Sequence, residues 1–167
     1  MNKKILFVAS AIITSTGLYS ASVFAADATG NATAEVLAPL TLTAGVAMDF
    51  GQVAAVTGAT STVVLSAAGV TTTTGGAIAG GTPVAGGFSV TGNDSLAYDI
   101  SLPTSTLLTG GTGPDITVDT FTSNKPGNSS NTSGGADTFT VGATLNLADG
   151  QGFGTYAGTY SISVDYQ

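Results

Sequence analysis

Gly154-Thr-Tyr-Ala-Gly-Thr-Tyr160-Ser-Ile-Ser-Val-Asp-Tyr166-Gln167 decides how this chain is read. Tyr160, Ile162, Val164 and Tyr166 are large and apolar or aromatic, whereas Thr159, Ser161, Ser163 and Asp165 are polar. Successive side chains of a β-strand point to opposite faces, so this alternation predicts a half-buried strand. No later segment of the sequence offers it a hairpin partner. One edge is therefore expected to be covered by an earlier segment, by another chain or by water.

The same alternation recurs upstream. Thr138-Phe139-Thr-Val141-Gly-Ala143-Thr-Leu145-Asn-Leu147 is its longest clean run, and Asp149-Gly150 turns that run toward the terminal strand. Asp115–Phe121, Phe88–Gly92, Tyr98–Leu102, Ser61–Ser66, Val46–Phe50 and Glu35–Thr43 read as further strands. Thr82-Pro83 and Leu102-Pro103 mark strand limits, and Pro39 belongs near an edge or bend because it lacks an N–H. Gly69–Gly87 reads as a short strand plus a mobile connection, and Ser123–Gly135 as a long loop. Eight or so short strands between Gly, Asn and Pro turns, with no helical stripe, predict an all-β sandwich over residues 36–167 as one domain.

At the other end, Met1-Asn-Lys3-Lys4 precedes a short apolar run and the small-residue stretch Ser22-Val-Phe-Ala25-Ala26. A basic start, an apolar stretch interrupted by hydroxyls, and Val23 and Ala25 at the −3 and −1 places predict a signal peptide over residues 1–25, hence an exported protein with no membrane span after cleavage. The next residues alternate too. Ala26, Ala28, Gly30, Ala32 and Ala34 stand between Asp27, Thr29, Asn31 and Thr33. This pattern has strand periodicity but almost no side-chain volume, so alone it buries too little to offset backbone ordering. Residues 26–35 are expected to be an arm that orders only by pairing.

Composition removes most chemistry. The chain has no His, Cys or Trp, which excludes His-based triads, thiol nucleophiles, imidazole or thiolate zinc sites and disulfides. After cleavage, Lys125 stands as the one base against ten acids, a side-chain charge of −9. That sign, without any Arg, disfavours nucleic acid. The carboxylates are scattered singly, so no catalytic pair is defined and no enzyme is expected. Gly75-Gly76 and Gly80-Gly81 lack the following Gly-Lys-Ser/Thr of a phosphate loop. Asn146/Asp149 and Asp115/Asp119 have oxygen ligands for Ca²⁺ but not the dense spacing, and turn formation is the better reading. Neither a cofactor nor a metal is expected.

Gly154, the Tyr160/Ile162/Val164 alternation and the next-to-last Tyr166 resemble the end of chaperone–usher pilins. Val36-Leu-Ala-Pro39-Leu40-Thr41-Leu42 resembles their first strand, with Leu40 where many carry a cysteine, and Met48-Asp-Phe50-Gly51 is similar to spore coat protein U domains. With Phe88–Gly92 and Tyr98–Pro103 between, the whole chain resembles a family of small exported bacterial proteins defined only as a domain of unknown function (forty-four-oh-two). The pilin resemblance implies an immunoglobulin-like sandwich, incomplete until a neighbour donates a strand. It further implies an assembly groove bordered by Gly154, Tyr156, Tyr160, Ile162, Val164 and Tyr166, with Ala26–Ala34 as the donor. The implied partners are like or related subunits, a periplasmic chaperone and an outer-membrane usher, on the way to a cell-surface fibre with a role in adhesion or biofilm. The competing expectations are an arm folded back on its own domain, or a stand-alone exported module that binds a glycan or surface protein through Thr71–Gly87 and Ser123–Gly135.

Overall fold

The structure, a computed structural model, describes residues 25–167. The expected signal peptide lies almost wholly outside the described residues. No described helix is long and apolar enough to cross a membrane. The chain divides into Met1–Glu35 and Val36–Gln167. Of the first unit, Ala25–Glu35 has no helix, strand or turn, and every residue is exposed.

Val36–Gln167 is all-β and sandwich-like. Its strands are β1 (Thr41–Val46), β2 (Gln52–Ala54), β3 (Ser61–Leu65), β4 (Thr71–Thr74), β5 (Ile78–Gly80), β6 (Gly86–Thr91) and β7 (Ala97–Ser101). They continue with β8 (Ser105–Gly110), β9 (Ile116–Ser123), β10 (Ser129–Asn131), β11 (Ala136–Leu147), β12 (Tyr156–Ala157) and β13 (Ser163–Tyr166). The main sheet runs β1-β6-β11-β9-β8-β12, with β3 and then β4 branching from β11. A small sheet runs β10-β7-β13, and β2 pairs with β5. Every pairing is antiparallel.

β11, built on the longest alternating run, organises the domain. Its first half pairs with β6 (Phe139↔Phe88) and its second half, on the same edge, with β3 (Leu145↔Val63), while β9 occupies the other edge. The change of partner falls at Gly142. A Cβ there would collide with the backbone of Leu65 and Ser66, so the position takes only glycine. Phe139, Val141, Ala143, Leu145 and Leu147 are all buried, as period-two alternation requires. Phe139 and Val141 join Val90, Tyr98 and Ile100 in one core; Ala143, Leu145 and Leu147 join Val63, Ala77, Ile116 and Val118 in a second.

Opposite Ala143, β9 places two residues, Thr120 and Phe121, a β-bulge between the Asp119↔Thr144 and Thr122↔Gly142 pairs. Thr120 adopts φ +50°, uncommon for a β-branched residue. Phe121 packs against both cores.

Several elements differ from the sequence expectation. The first strand begins at Thr41 rather than Glu35, since Pro39 cannot donate to a ladder and Val36 and Leu37 remain exposed. Val46–Phe50 contributes the end of β1 and a single bridge, Asp49↔Val84, not a strand of its own. Gly69–Gly87 holds β4, β5 and the start of β6. Ser105–Gly110 forms β8, which the adjacent Leu107 and Leu108 hide from any alternation pattern.

Ser123–Gly135 is not a free loop. It holds β10 between two 3-10 turns and buries Thr132 completely. The Thr132 hydroxyl donates to the Asn93 and Leu96 carbonyls, and the Thr132 N–H donates to Leu96 O (3.1 Å). Lys125, within the expected long loop, is fixed to Asp137 at 2.8 Å.

Candidate functional site

The residues after Gly154 leave the main sheet for the small one. Tyr156 and Ala157 pair with Gly110 and Thr109 of β8, whereas Ser163–Tyr166 pairs with Ser101–Tyr98 of β7. Gly158–Ile162 lies between the two ladders, because β7 ends at Ser101 and Pro103 has no N–H to prolong it. The Thr106 hydroxyl donates to the Thr159 carbonyl there (2.7 Å). The terminal strand is therefore shorter than the expected Tyr160–Tyr166, but its facial alternation persists. Tyr160, Ile162, Val164 and Tyr166 are half-buried and the residues between them exposed.

Tyr160 packs edge-on to Phe88 (6.2 Å between centroids) and tilted on Phe121 (5.3 Å). Burial raises its hydroxyl pKa. Ile162 and Val164 pack on the Val90/Tyr98/Ile100/Phe139/Val141 core together with Leu40 and Leu42. The Tyr166 hydroxyl accepts from the Asn93 N–H (2.7 Å) and donates to the Ala38 carbonyl (3.0 Å). Two glycines that sequence reading passed over make this possible. A Cβ on Gly86 would strike the Tyr160 hydroxyl, and one on Gly92 would strike the Tyr166 hydroxyl. Both pairs are spaced by six residues, so the terminal segment lies across β6 from Gly86 to Gly92. No signal in a single sequence links glycines to tyrosines so distant.

Tyr156 and Gly154 belong to a different corner. The Tyr156 hydroxyl accepts from the Gly113 N–H (3.0 Å) and Gln151 Nε2 (2.9 Å) and donates to the Gly152 carbonyl (2.9 Å). Gly154, at φ +128°, crosses Gly111 so closely that a Cβ would lie 2.8 Å from the Gly111 Cα.

Two strand edges border Tyr160–Tyr166. Among the described residues, β1 is bonded only to β6 and β13 only to β7. Leu40 and Leu42 from one bank and Ile162 and Val164 from the other share one core. Beyond Tyr160 the seam continues into an open cavity of about 770 Å³. Met48–Ala55 forms one wall and Gly152–Gly158 the other, and the buried Ile116, Val118, Leu145 and Leu147 form the floor. Here too each wall carries a strand paired on one side only: β2 with β5, β12 with β8.

The candidate donor residues Ala26, Ala28, Gly30, Ala32 and Ala34 lie in the exposed, strandless stretch, and a Cβ on Gly30 would meet nothing. Among the described residues no group of three or more His, Cys, Asp or Glu could hold a metal. Asp149 accepts from the Gly58 N–H (2.6 Å) and Asp119 from the Thr120 hydroxyl (2.9 Å), which are turn and bulge contacts.

Asp137 collects the densest polar network. Lys125 Nζ reaches its Oδ1 at 2.8 Å, and the Ser130 and Tyr98 hydroxyls reach Oδ2 at 2.6 and 2.8 Å. Burial opposes its ionisation, but Lys125, Ser130, Tyr98 and the Thr138 N–H outweigh that and hold its pKa down at about 2. Burial first, and Asp137 second, push Tyr98 up to about 12. The network closes the 123–135 segment onto β7 and β11.

Among the described residues, β1 and β13 each pair on one side only and share an apolar core, within an all-β, sandwich-like domain. Residues 40–166 match the family described as Domain of unknown function (DUF4402), and the chain belongs to that family. No curated protein and no solved structure matches it.

Proposed function

We propose that this protein is a structural subunit of a bacterial surface fibre, exported and assembled by strand donation, with a role in adhesion or biofilm and no catalytic step. The observation that carries the reading is the seam between β1 and β13. Among the described residues each strand is bonded on one side only, and the apolar side chains of both meet in one core. An extended segment laid there would satisfy main-chain donors and acceptors on both edges and cover Leu42, Ile162 and Val164.

Ala26–Ala34 of a neighbouring subunit suits such a site in its full exposure, its lack of a strand and its two-residue period. In this reading the domain is an incomplete sandwich of immunoglobulin-like, pilin type. A periplasmic chaperone lends the missing strand in transit, and an outer-membrane usher exchanges it. The signal-like residues 1–25 and the bulk of the pilin resemblance support that route.

Co-expression of the full chain with its cognate chaperone and usher tests it. Polymers that survive SDS at room temperature and fall to monomer on boiling are expected. Deletion of residues 26–34 should leave export unchanged and abolish the ladder. A mature chain that stays monomeric in that setting sinks the proposal.

A further inference from the structure

Ser61 breaks the apolar inward series of β3. Val63 and Leu65, next on the same face, are completely buried, and Ser61 is itself only 3 % exposed. Its hydroxyl has no hydrogen-bond partner among the described residues. A buried hydroxyl left unpaired is destabilising where an alanine would not be, so this position calls for a partner from outside the chain.

Ser61 lines a hollow of about 380 Å³ at one end of the main sheet. Thr62 lies directly opposite Asn146, and Asn146 opposite Thr117, so three neighbouring strands present these side chains side by side on one face. Asn146 Nδ2 donates to the Thr117 carbonyl (3.3 Å), which holds the carboxamide across the strands and leaves its Oδ1 as an acceptor. Thr60 and Asp115, both exposed, line the hollow just ahead of β3 and β9, and the short side chain of Ala148 lines it just past β11.

This lining narrows the ligand. Asp115 is its one charged residue and no Lys or Arg joins it, so phosphate, sulfate and carboxylate groups are repelled. It holds no aromatic ring, which removes the stacking face a planar ligand needs. One carboxylate is a poor cage for a divalent cation, and no group of three or more His, Cys, Asp or Glu occurs among the described residues. Hydroxyls, a carboxamide and a single carboxylate match a neutral ligand that both donates and accepts at several adjacent atoms. A sugar ring has that character.

We propose that this hollow binds a neutral hexopyranoside unit of a glycan. Asp115 and Asn146 accept from adjacent sugar hydroxyls, the threonine hydroxyls extend the set, and Ser61 gains the partner that the chain does not give it. The hollow shares no residue with the β1/β13 seam, so the proposal goes beyond the strand-addition reading and does not depend on it.

Titration of the ¹⁵N-labelled protein with the methyl glycosides of glucose, mannose and galactose, followed by amide chemical shifts, tests it. At least one hexoside is expected to shift the amides of Thr60–Thr62, Asp115–Thr117 and Asn146–Ala148, with a dissociation constant on the order of 1 mM. Asp115→Ala and Asn146→Ala should each weaken that binding by about tenfold or more, and the same spectra report whether each variant is folded. Ser61→Ala should weaken it too while leaving the urea midpoint unchanged or higher, a combination that a merely structural serine would not produce.

Absence of shifts at these positions with all three hexosides overturns the proposal. So does an equal response to glucuronate, which Asp115 should repel, or hexoside binding that the folded variants leave at the parent's strength. Calcium chloride shifting the same amides while the hexosides do not would overturn it in favour of a cation site. The SDS ladder that tests the fibre reading is unaffected by any of these results.

Discussion

The Tyr166 hydroxyl occupies the space that a side chain on Gly92 would fill. From there it links the Asn93 N–H to the Ala38 carbonyl, so three distant segments meet at one atom. Gly92→Ala would place a methyl group against that hydroxyl and 2.8 Å from the Leu40 Cδ2. The expected cost is about 1–3 kcal/mol in urea unfolding. Tyr166→Phe in the Gly92→Ala background should cost less than the sum of the two changes, with a coupling of about 0.5 kcal/mol or more. Strict additivity would mean that the two residues do not share this space.

Gly142→Ala is expected to be worse. The added methyl meets main-chain atoms of Leu65, Ser66 and Ala67, and backbone cannot rotate aside as a side chain can. A loss of about 3 kcal/mol or more, or failure to fold, should follow. A melting temperature unchanged from the parent would contradict the branching of β3 and β6 at this residue.

Thr120 predicts a gain. Its left-handed backbone at φ +50° suits Asn or Gly better than a β-branched residue, and its side chain is exposed. Thr120→Asn should stabilise the domain by about 0.5–1 kcal/mol, read as a higher urea midpoint with unchanged slope.

Asp137 sets an acid limit. Its pKa is lowered from 3.8 to about 2 on folding, so the folded state binds fewer protons than the unfolded state between those values. The stabilisation is complete above about pH 5 and disappears as pH falls toward 2, by about 1–2 kcal/mol allowing for partial exposure. Tyr98 behaves oppositely. Its pKa rises from 10.0 to about 12, so the folded state holds a proton that the unfolded state releases, and stability falls as pH rises from 10 to 12. Asp137→Asn should flatten the acid limb of a stability–pH curve; an unchanged limb would remove Asp137 from the account.

The 123–135 segment should resist protease despite its loop-like composition, because β10 and the buried Thr132 hold it. Thr132→Val leaves the Asn93 and Leu96 carbonyls without the hydroxyl and is expected to cost about 1–3 kcal/mol. Cleavage between Ser123 and Gly135 should appear in the variant and not in the parent during limited proteolysis.

Alternation made much of the fold legible. β3, β6, β7, β9 and β11 fall where period-two patterns place them, because each buries one face on a core. β8 escaped because Leu107 and Leu108 are neighbours, and β10 because Ser-Ser-Asn has the composition of a turn. The inward set Tyr160, Ile162, Val164 and Tyr166 was readable from the terminal stretch alone. The glycines that receive the tyrosine hydroxyls, the bulge that aims Phe121 and the cavity beside β2 were not. These depend on contacts between residues tens of positions apart, which local patterns do not encode.

β11 belongs to both hydrophobic clusters, and that has a bearing on how the molecule comes apart. A strand whose first half is locked to β6 and whose second half is locked to β3 cannot release one core while keeping its own backbone straight for the other. Heat should therefore melt the two clusters in a single calorimetric transition, and the slowest-exchanging amides should line β11 from Phe139 to Leu145.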